Sequence, residues 1–475
     1  MFSLAYFWIF FLLLLVGMPV VFALLLAPGL SLVIDGRDAQ FMSKLLSTVY
    51  SGMYSFPLMA VPFFILAGEL MNSGGITKSI VRFSSSLIGH VRGGLAQVNI
   101  LSSILFAGLS GSAVADTSAL GKMLIPAMQH NGYSRSFSAA VTAASSVIGP
   151  IIPPSGIMIL YAFVMNVSVA GLFLAGFVPG LMVGLGLMVL TWYLAKKRNY
   201  PVADQKATWG ERGRALLITL PALLTPVILL GGILGGVMTP TEAAAIAAAY
   251  AILAAIVVGG RNWERLISPE NKADKISFGQ YLKAMPGAVS DVGKTLPQVG
   301  ISTALQAGII LLLVGAAVTF GWIVTVSGLA KEAAEFIQGV TDNPLLLLLF
   351  INILLFVVGM FLDAGPAILI LGPVLSPIFV GELGLHPIHF AIIMCVNVTV
   401  GLATPPMGLV LFVASSVSGE KLEKIVVQIL PFLAVEVIVI FLITYFPAIS
   451  MTLPWLFGFA PTWEPPWMPV AAPAG

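Results

Sequence analysis

Charge is nearly absent over stretches far longer than a soluble core requires. From Leu95 to Ala195 the only charged residues are Asp116, Lys122 and Arg135. From Ala215 to Val258 there is Glu242 alone, from Thr295 to Ala330 none, and from Leu345 to Gly419 only Asp363 and Glu382. A membrane-spanning helix needs about 20 consecutive, mostly apolar residues, and these stretches hold many such lengths in series. The whole chain of 475 residues is 9% charged, against about 25% in soluble domains, too little to cover a water-facing surface. The apolar runs are continuous and do not alternate with period two, which excludes a β-barrel. The sequence therefore predicts an all-α polytopic membrane protein.

Apolar segments run near 4–30, 48–72, 95–109, 136–163, 168–195, 215–235, 240–258, 298–326, 344–362, 387–417 and 426–450, roughly eleven by the length rule. Two more, 110–130 and 363–381, are crowded with Gly, Ser and Pro and read as re-entrant hairpins. No basic residue precedes the first run, since Arg37 is the first in the chain, so 5–30 reads as a retained membrane helix and not a cleaved signal. Cationic excess in the linkers 196–214 and 259–294 places both in the cytoplasm. In 76–94, Lys78, Arg82 and Arg92 have the spacing of a polar helix face lying on the membrane, with a simple basic loop as the alternative. The Pro- and Trp-rich tail, with Trp455, Trp463 and Trp467, suits an interfacial anchor. A net charge of +2 without a basic patch gives no ground for a nucleic-acid partner. The single cysteine, Cys395, rules out a disulfide framework.

Two distant parts of the chain match. SVIGPIIPPSGIMIL holds Gly149, Pro153, Pro154 and Gly156; VTVGLATPPMGLVLF holds Gly401, Pro405, Pro406 and Gly408, 252 residues later. Upstream, Gly108, Gly121 and Pro126 are matched by Gly359, Gly372 and Pro377 at an offset of 251. Two patterns with nearly one offset indicate a two-fold internal repeat. A Pro-Pro pair cannot continue a helix, and its freed carbonyls are costly in lipid unless they face protein or a wet cavity. Paired broken helices are thus the sequence pointer to a transporter site near the bilayer midplane. Half-helix N-termini suit an anion, and unwound carbonyls with nearby hydroxyls suit a sodium ion.

The candidate substrate- and ion-binding residues are Ser110, Gly111, Ser112, Asp116, Ser145, Gly149, Pro153, Pro154 and Ser155 in the first half. In the second they are Asp363, Gly365, Pro366, Asn397, Thr399, Gly401, Thr404, Pro405 and Pro406. Ser110, Ser112, Asp116, Asp363, Thr399 and Thr404 are the sodium candidates, because ionisable and hydroxyl groups inside membrane segments are costly without a task. Each aspartate also reads as a helix cap. Glu242, in TPTEAAA, reads as a helix start, and Lys122 and Arg135 as snorkelling surface cations. A sodium ion is the expected ligand at the candidate site, and no tightly bound cofactor is expected.

At LSGSAVADTSALGKMLIPAM, AASSVIGPIIPPSGIMILYA and VGLATPPMG the chain resembles the large membrane subunit of the tripartite ATP-independent periplasmic (TRAP) transporters, over most of its length to about residue 447. The resemblance implies a static scaffold and an elevator-type transport domain built from inverted repeats, each with a re-entrant hairpin. It implies two partners, a small four-helix membrane subunit and a soluble periplasmic substrate-binding protein. It also implies sodium-driven import of a small carboxylate such as a dicarboxylate or sialic acid across the bacterial inner membrane. The resulting division is 1–94 scaffold, 95–195 first transport repeat, 196–294 scaffold and linkers, 295–425 second repeat, and 426–475 C-terminal helix and tail. The long 259–294 linker and the tail depart from the family pattern. A stand-alone sodium/dicarboxylate symporter is the runner-up. An intramembrane serine protease rests only on GLSG at 108–111 and needs a histidine beside the serine. No G-x4-G-K-[ST] loop is present for an ATP-driven pump.

Overall fold

The fold comes from a computed structural model, which describes residues 5–36, 39–73, 76–200, 206–258, 262–267, 276–329, 332, 341, 343–460 and 463. Every regular element among them is helical. The first apolar run does not form one span. It splits into α1 (Ala5–Leu15) and α2 (Val20–Ile34), because Gly17 takes φ +88° and Pro19 follows. The run 48–72 is likewise broken: α3 (Ala39–Met53) and α4 (Ala60–Ser73) flank a short 3₁₀ turn, Phe56–Met59, with Pro57 as its second residue, and the axis bends by 49° there.

The segment 76–94 is helical, α5 (Ile76–Ile88), with Ile76, Thr77, Ile80 and Ser84 buried. α6 (Gly94–Ser110) and α7 (Ala113–His130) follow, then α8 (Arg135–Ser146) and α9 (Gly156–Val164). Next come α10 (Val169–Lys197), α11 (Trp209–Leu234), α12 (Pro240–Val258) and the short α13 (Asn262–Ile267). α14 (Phe278–Ser327) is 50 residues long, about 75 Å, and the expected division at 294/295 falls inside it. The second half continues with α15 (Pro344–Phe361), α16 (Ala364–Ser376) with a π turn through Glu382, α17 (Pro387–Gly401) and α18 (Leu409–Ser418). α19 (Leu422–Tyr445) and α20 (Ala448–Leu456) close the chain.

Seven of the described helices are long and apolar enough to cross a membrane singly, eight if the bent α3–α4 pair counts as one span. The figure of roughly eleven counts apolar segments, several of which are interrupted and so yield shorter helices. The hairpins also differ from the expected 110–130 and 363–381. Those ranges are the second arms only; α6 and α15, read in sequence as separate spans, are the first arms. The chain reverses between α6 and α7 in two residues, with Gly111 at φ +59° and Ser112 capping α7. Asn99 Nδ2 lies 3.8 Å from Met128 Sδ across the pair, which fixes it as antiparallel.

Packing follows the repeat. α6, α7 and α8 pack together, α17 packs on both α15 and α16, and α4, α12 and α14 pack on one another. Across the repeats, α18 lies on α7 and α9 lies on α16. At Gly121 a Cβ would stand 3.3 Å from Val417 Cγ1; at Gly372, one would stand 3.4 Å from Met165 Sδ. These contacts exchange partners at the repeat offset, since 121 maps to 372 as 165 maps to 417. A reciprocal exchange of this kind is the mark of a two-fold axis. Arg261, Lys272 and Lys275 of the long linker, and Trp467 of the tail, lie outside the described residues.

Candidate functional site

The first break occupies Val147–Ser155 between α8 and α9, and every residue of it is buried. Polar pairs hold the first hairpin arm to the helix before the break: Asn99 Nδ2 donates to Thr142 Oγ1 at 2.7 Å, and Ser103 Oγ to Ser145 Oγ at 2.9 Å. Gly111, at the hairpin tip, meets the break directly. A Cβ there would lie 3.1 Å from the Pro154 carbonyl oxygen and 3.4 Å from Gly156 N. Ser155 caps α9 by accepting from Met158 N at 3.4 Å, and its hydroxyl donates to the Pro150 carbonyl. The Pro153–Pro154 bond is cis, as is Pro405–Pro406.

Asp116 stands at the centre of this junction with no exposed surface. The Ser110 hydroxyl donates to its Oδ1, and Ser112 N donates to Ser110 Oγ at 3.3 Å. Asp116 Oδ2 has no hydrogen-bond donor among the described residues, and it lies against the Cα of Gly149, where any Cβ would collide with it. The serine, the aspartate and the glycine therefore form one unit, with a carboxylate oxygen left open in the protein interior. Lys122 and Arg135 are exposed and do not neutralise it.

The second half builds a related but less enclosed junction. Gly359 of α15 and Gly401 at the end of α17 touch backbone to backbone, so that a Cβ on Gly401 would fall 2.5 Å from Gly359 Cα. Gly408 N, beyond the break, donates to the Met360 carbonyl at 3.1 Å. Asn397 Nδ2 donates to Asn352 Oδ1 at 2.7 Å, and Thr444 Oγ1 reaches the same oxygen at 3.0 Å. The Thr399 hydroxyl donates to the Cys395 carbonyl within α17, and the Thr404 hydroxyl, in the break, donates back to the Val400 carbonyl, which leaves their lone pairs to accept or coordinate. Asp363 is the N-cap of α16 and accepts from Ala364 N at 2.8 Å; Gly365 and Pro366 follow in its first turn, with Gly365 near Leu160 Cδ1. Pro405 is half-buried and Pro406 exposed, whereas both prolines of the first break are buried.

Among the sequence candidates, the structure joins Ser110, Gly111, Ser112, Asp116, Gly149, Pro154 and Ser155 directly, while Ser145 serves the Ser103 contact beside them. Gly401 and Asn397 engage the second hairpin, and Asp363, Thr399 and Thr404 make only local bonds. Asn99, Thr142, Asn352 and Thr444 were not singled out from sequence; polar residues inside apolar helices were the available signal. Glu242 closes a capping box with Thr239, accepting from Thr239 N at 2.8 Å, as its position in TPTEAAA predicts. Ser110 is bonded to a carboxylate and not to an imidazole, and His389 Nδ1 pairs with Ser450 at 2.8 Å, so the arrangement is not that of a serine hydrolase. No three of His, Cys, Asp and Glu converge among the described residues. The donors at both breaks are hydroxyls, carbonyls and a carboxylate, which suit a hard cation.

The profile of the family described as the tripartite ATP-independent periplasmic transporter, DctM component, matches residues 7–449. The chain is 37% identical over 446 residues to the sialic acid TRAP transporter large permease protein SiaM of Vibrio cholerae, covering 94% of this chain and 96% of that protein. It is 36% identical over 443 residues to the 2,3-diketo-L-gulonate TRAP transporter large permease protein YiaN of Escherichia coli, with 93% and 96% covered. To the C4-dicarboxylate TRAP transporter large permease protein DctM of Pseudomonas aeruginosa it is 36% identical over 413 residues, with 84% and 87% covered. The YdaH transporter of Alcanivorax borkumensis shares the fold, with a TM-score of 0.54 at 17% identity over 88% of this chain and 90% of that one. The chain is a multi-pass membrane protein and belongs to the DctM family, the large permease component of the tripartite ATP-independent periplasmic transporters.

Proposed function

We propose that this permease imports a small organic acid, a dicarboxylate, a sialic acid or a similar carboxylate, using a sodium gradient. The substrate arrives on a soluble periplasmic binding protein, and a small four-helix membrane subunit completes the complex in the bacterial inner membrane, with the 196–214 and 259–294 linkers in the cytoplasm. The observation that carries the sodium part is Asp116, fully buried with one oxygen bound by Ser110 and the other open beside Gly149. A buried, unneutralised carboxylate is strongly unfavourable, and a monovalent cation bound there supplies the missing charge. Carbonyls freed at the Pro153–Pro154 and Pro405–Pro406 breaks and the hydroxyls of Ser112, Thr399 and Thr404 are the further ligands of the sodium sites. The N-terminal ends of α9 and α18 adjoin the breaks, the second without a side-chain cap, and suit the carboxylate of the substrate. Large permeases of this family that are 37% and 36% identical to the chain are named for sialic acid and for C4-dicarboxylate, which supports a small carboxylate as the substrate. Alternating access proceeds by an elevator movement of the hairpin-bearing repeats against the α4–α12–α14 group.

The test is uptake into proteoliposomes holding the permease and its small subunit, with candidate binding proteins and a panel of radiolabelled organic acids. Accumulation must require an inward sodium gradient. Equal uptake without that gradient removes the sodium mechanism, and equal uptake without any binding protein favours a stand-alone symporter.

A further inference from the structure

Two neighbouring helix ends carry the same vertical order of side chains. On α10, Leu185, Val189, Trp192 and Lys196 follow one another at i, i+4, i+7 and i+11 and so share one face. The first three are 58%, 68% and 45% exposed, and Lys196 Nζ sits 5.8 Å from the Trp192 ring centroid. On α11, Trp209, Leu216, Leu220 and Leu224 lie at i, i+7, i+11 and i+15, and all are exposed. The Arg212 guanidinium folds back over Trp209 at 5.0 Å. Each stripe thus has a cation over an indole at the helix end and a column of aliphatic side chains leading away from it.

The turn after α5 brings the two ends together. A Cβ on Gly93 would meet Ala195 Cβ at 2.8 Å, which places the exposed Arg92 next to the end of α10. Arg212 Nε donates to the Ser86 carbonyl at 3.2 Å, which fixes the start of α11 on the same helix. Of the described residues 190–214, six are cations, and the one acid, Glu211, is engaged in a capping box with Thr208. Among the described residues of this stretch no other acid is present to pair with these cations. Cation–indole pairs stand at the headgroup level of a bilayer, and aliphatic columns below them face acyl chains.

We propose that the α5–α10–α11 corner is a binding site for an anionic phospholipid, with Arg92, Lys196, Lys197 and Arg212 around the headgroup phosphate. The acyl chains run down the Leu185–Val189 and Leu216–Leu220 columns. Clustered basic residues at the ends of membrane helices recognise anionic lipid in this way. The site is separate from the proline breaks and does not rest on the transport mechanism.

The full-length permease with its small subunit is purified in detergent, and retained phosphatidylglycerol and cardiolipin are counted by mass spectrometry. Arg92→Ala/Lys196→Ala/Lys197→Ala is compared with a control of equal charge, Lys44→Ala/Lys283→Ala/Lys294→Ala. The expected result is an anionic lipid content about tenfold lower in the first variant and unchanged in the control. After delipidation, phosphatidylglycerol raises the melting temperature of the parent but not of the first variant, while phosphatidylcholine and inorganic phosphate do nothing. Equal lipid loss in both triple variants, no loss in either, or a stabilisation by inorganic phosphate that matches the lipid each overturns the proposal.

Discussion

At the scale of single residues, the site is governed by where a side chain is not allowed. Gly149 faces Asp116 and Gly401 faces the Gly359 backbone, and neither neighbour can retreat, the first because Ser110 and burial hold it, the second because it is main chain. Gly401→Ala is expected to cost about 1–3 kcal/mol, the usual penalty for overpacking, and to lower the melting temperature. Gly365→Ala meets only Leu160 Cδ1 at 3.8 Å, an ordinary contact, and is expected to leave stability unchanged; equal melting temperatures for the two variants would refute this account of the second junction. Asp116→Asn keeps the shape of the first junction and removes its charge. Its expected signature is sodium-driven uptake at least about tenfold lower, since about 1.4 kcal/mol of lost ion binding suffices, with thermal stability in sodium-free buffer retained. Wild-type sodium dependence in that variant would show that the carboxylate has no part in coupling.

Elements obey capping and helix-breaking rules that are local and therefore readable. Glu242 was legible as a helix start because a capping box needs only residues three apart, and Thr239→Ala is expected to cost about 1 kcal/mol in a thermal melt while uptake is unaffected. The interruptions at 153–154 and 405–406 were equally plain, because proline acts on its own helix. The hairpins were only half legible. Sequence marked the Gly- and Ser-rich second arms, but α6 and α15 are apolar enough to pass for ordinary spans; what makes α6 a hairpin arm is Gly111 turning the chain and Asn99 and Ser103 finding partners on α7 and α8. The same limit applies to α1 and α2, where Gly17 and Pro19 divide a run whose composition alone reads as continuous.

Over the whole molecule, the decisive feature is the reciprocal packing of the repeats. Gly121 against Val417 and Gly372 against Met165 tie each hairpin to the broken helix of the other half. Gly121→Ala should crowd Val417, and Val417→Ala added to it should recover stability, with a coupling of about 0.5–3 kcal/mol in a double-mutant cycle. Gly372→Ala meets Met165 Sδ only at 3.4 Å, an ordinary contact, and should cost little; additive effects in the Gly121–Val417 cycle would mean that the halves are not interlocked there. By itself the sequence determined the membrane environment, the two-fold repeat and the position of both helix breaks, because hydropathy, periodicity and proline geometry act within a few residues along the chain. Only the tertiary structure decided that Asp116 shares its junction with Ser110 and Gly149, that Asp363 caps its own helix, and that the first break is sealed while Pro406 stands exposed. Those outcomes depend on contacts between segments far apart in sequence, and burial in protein or exposure at its surface is a property of the packed neighbours and not of the residue.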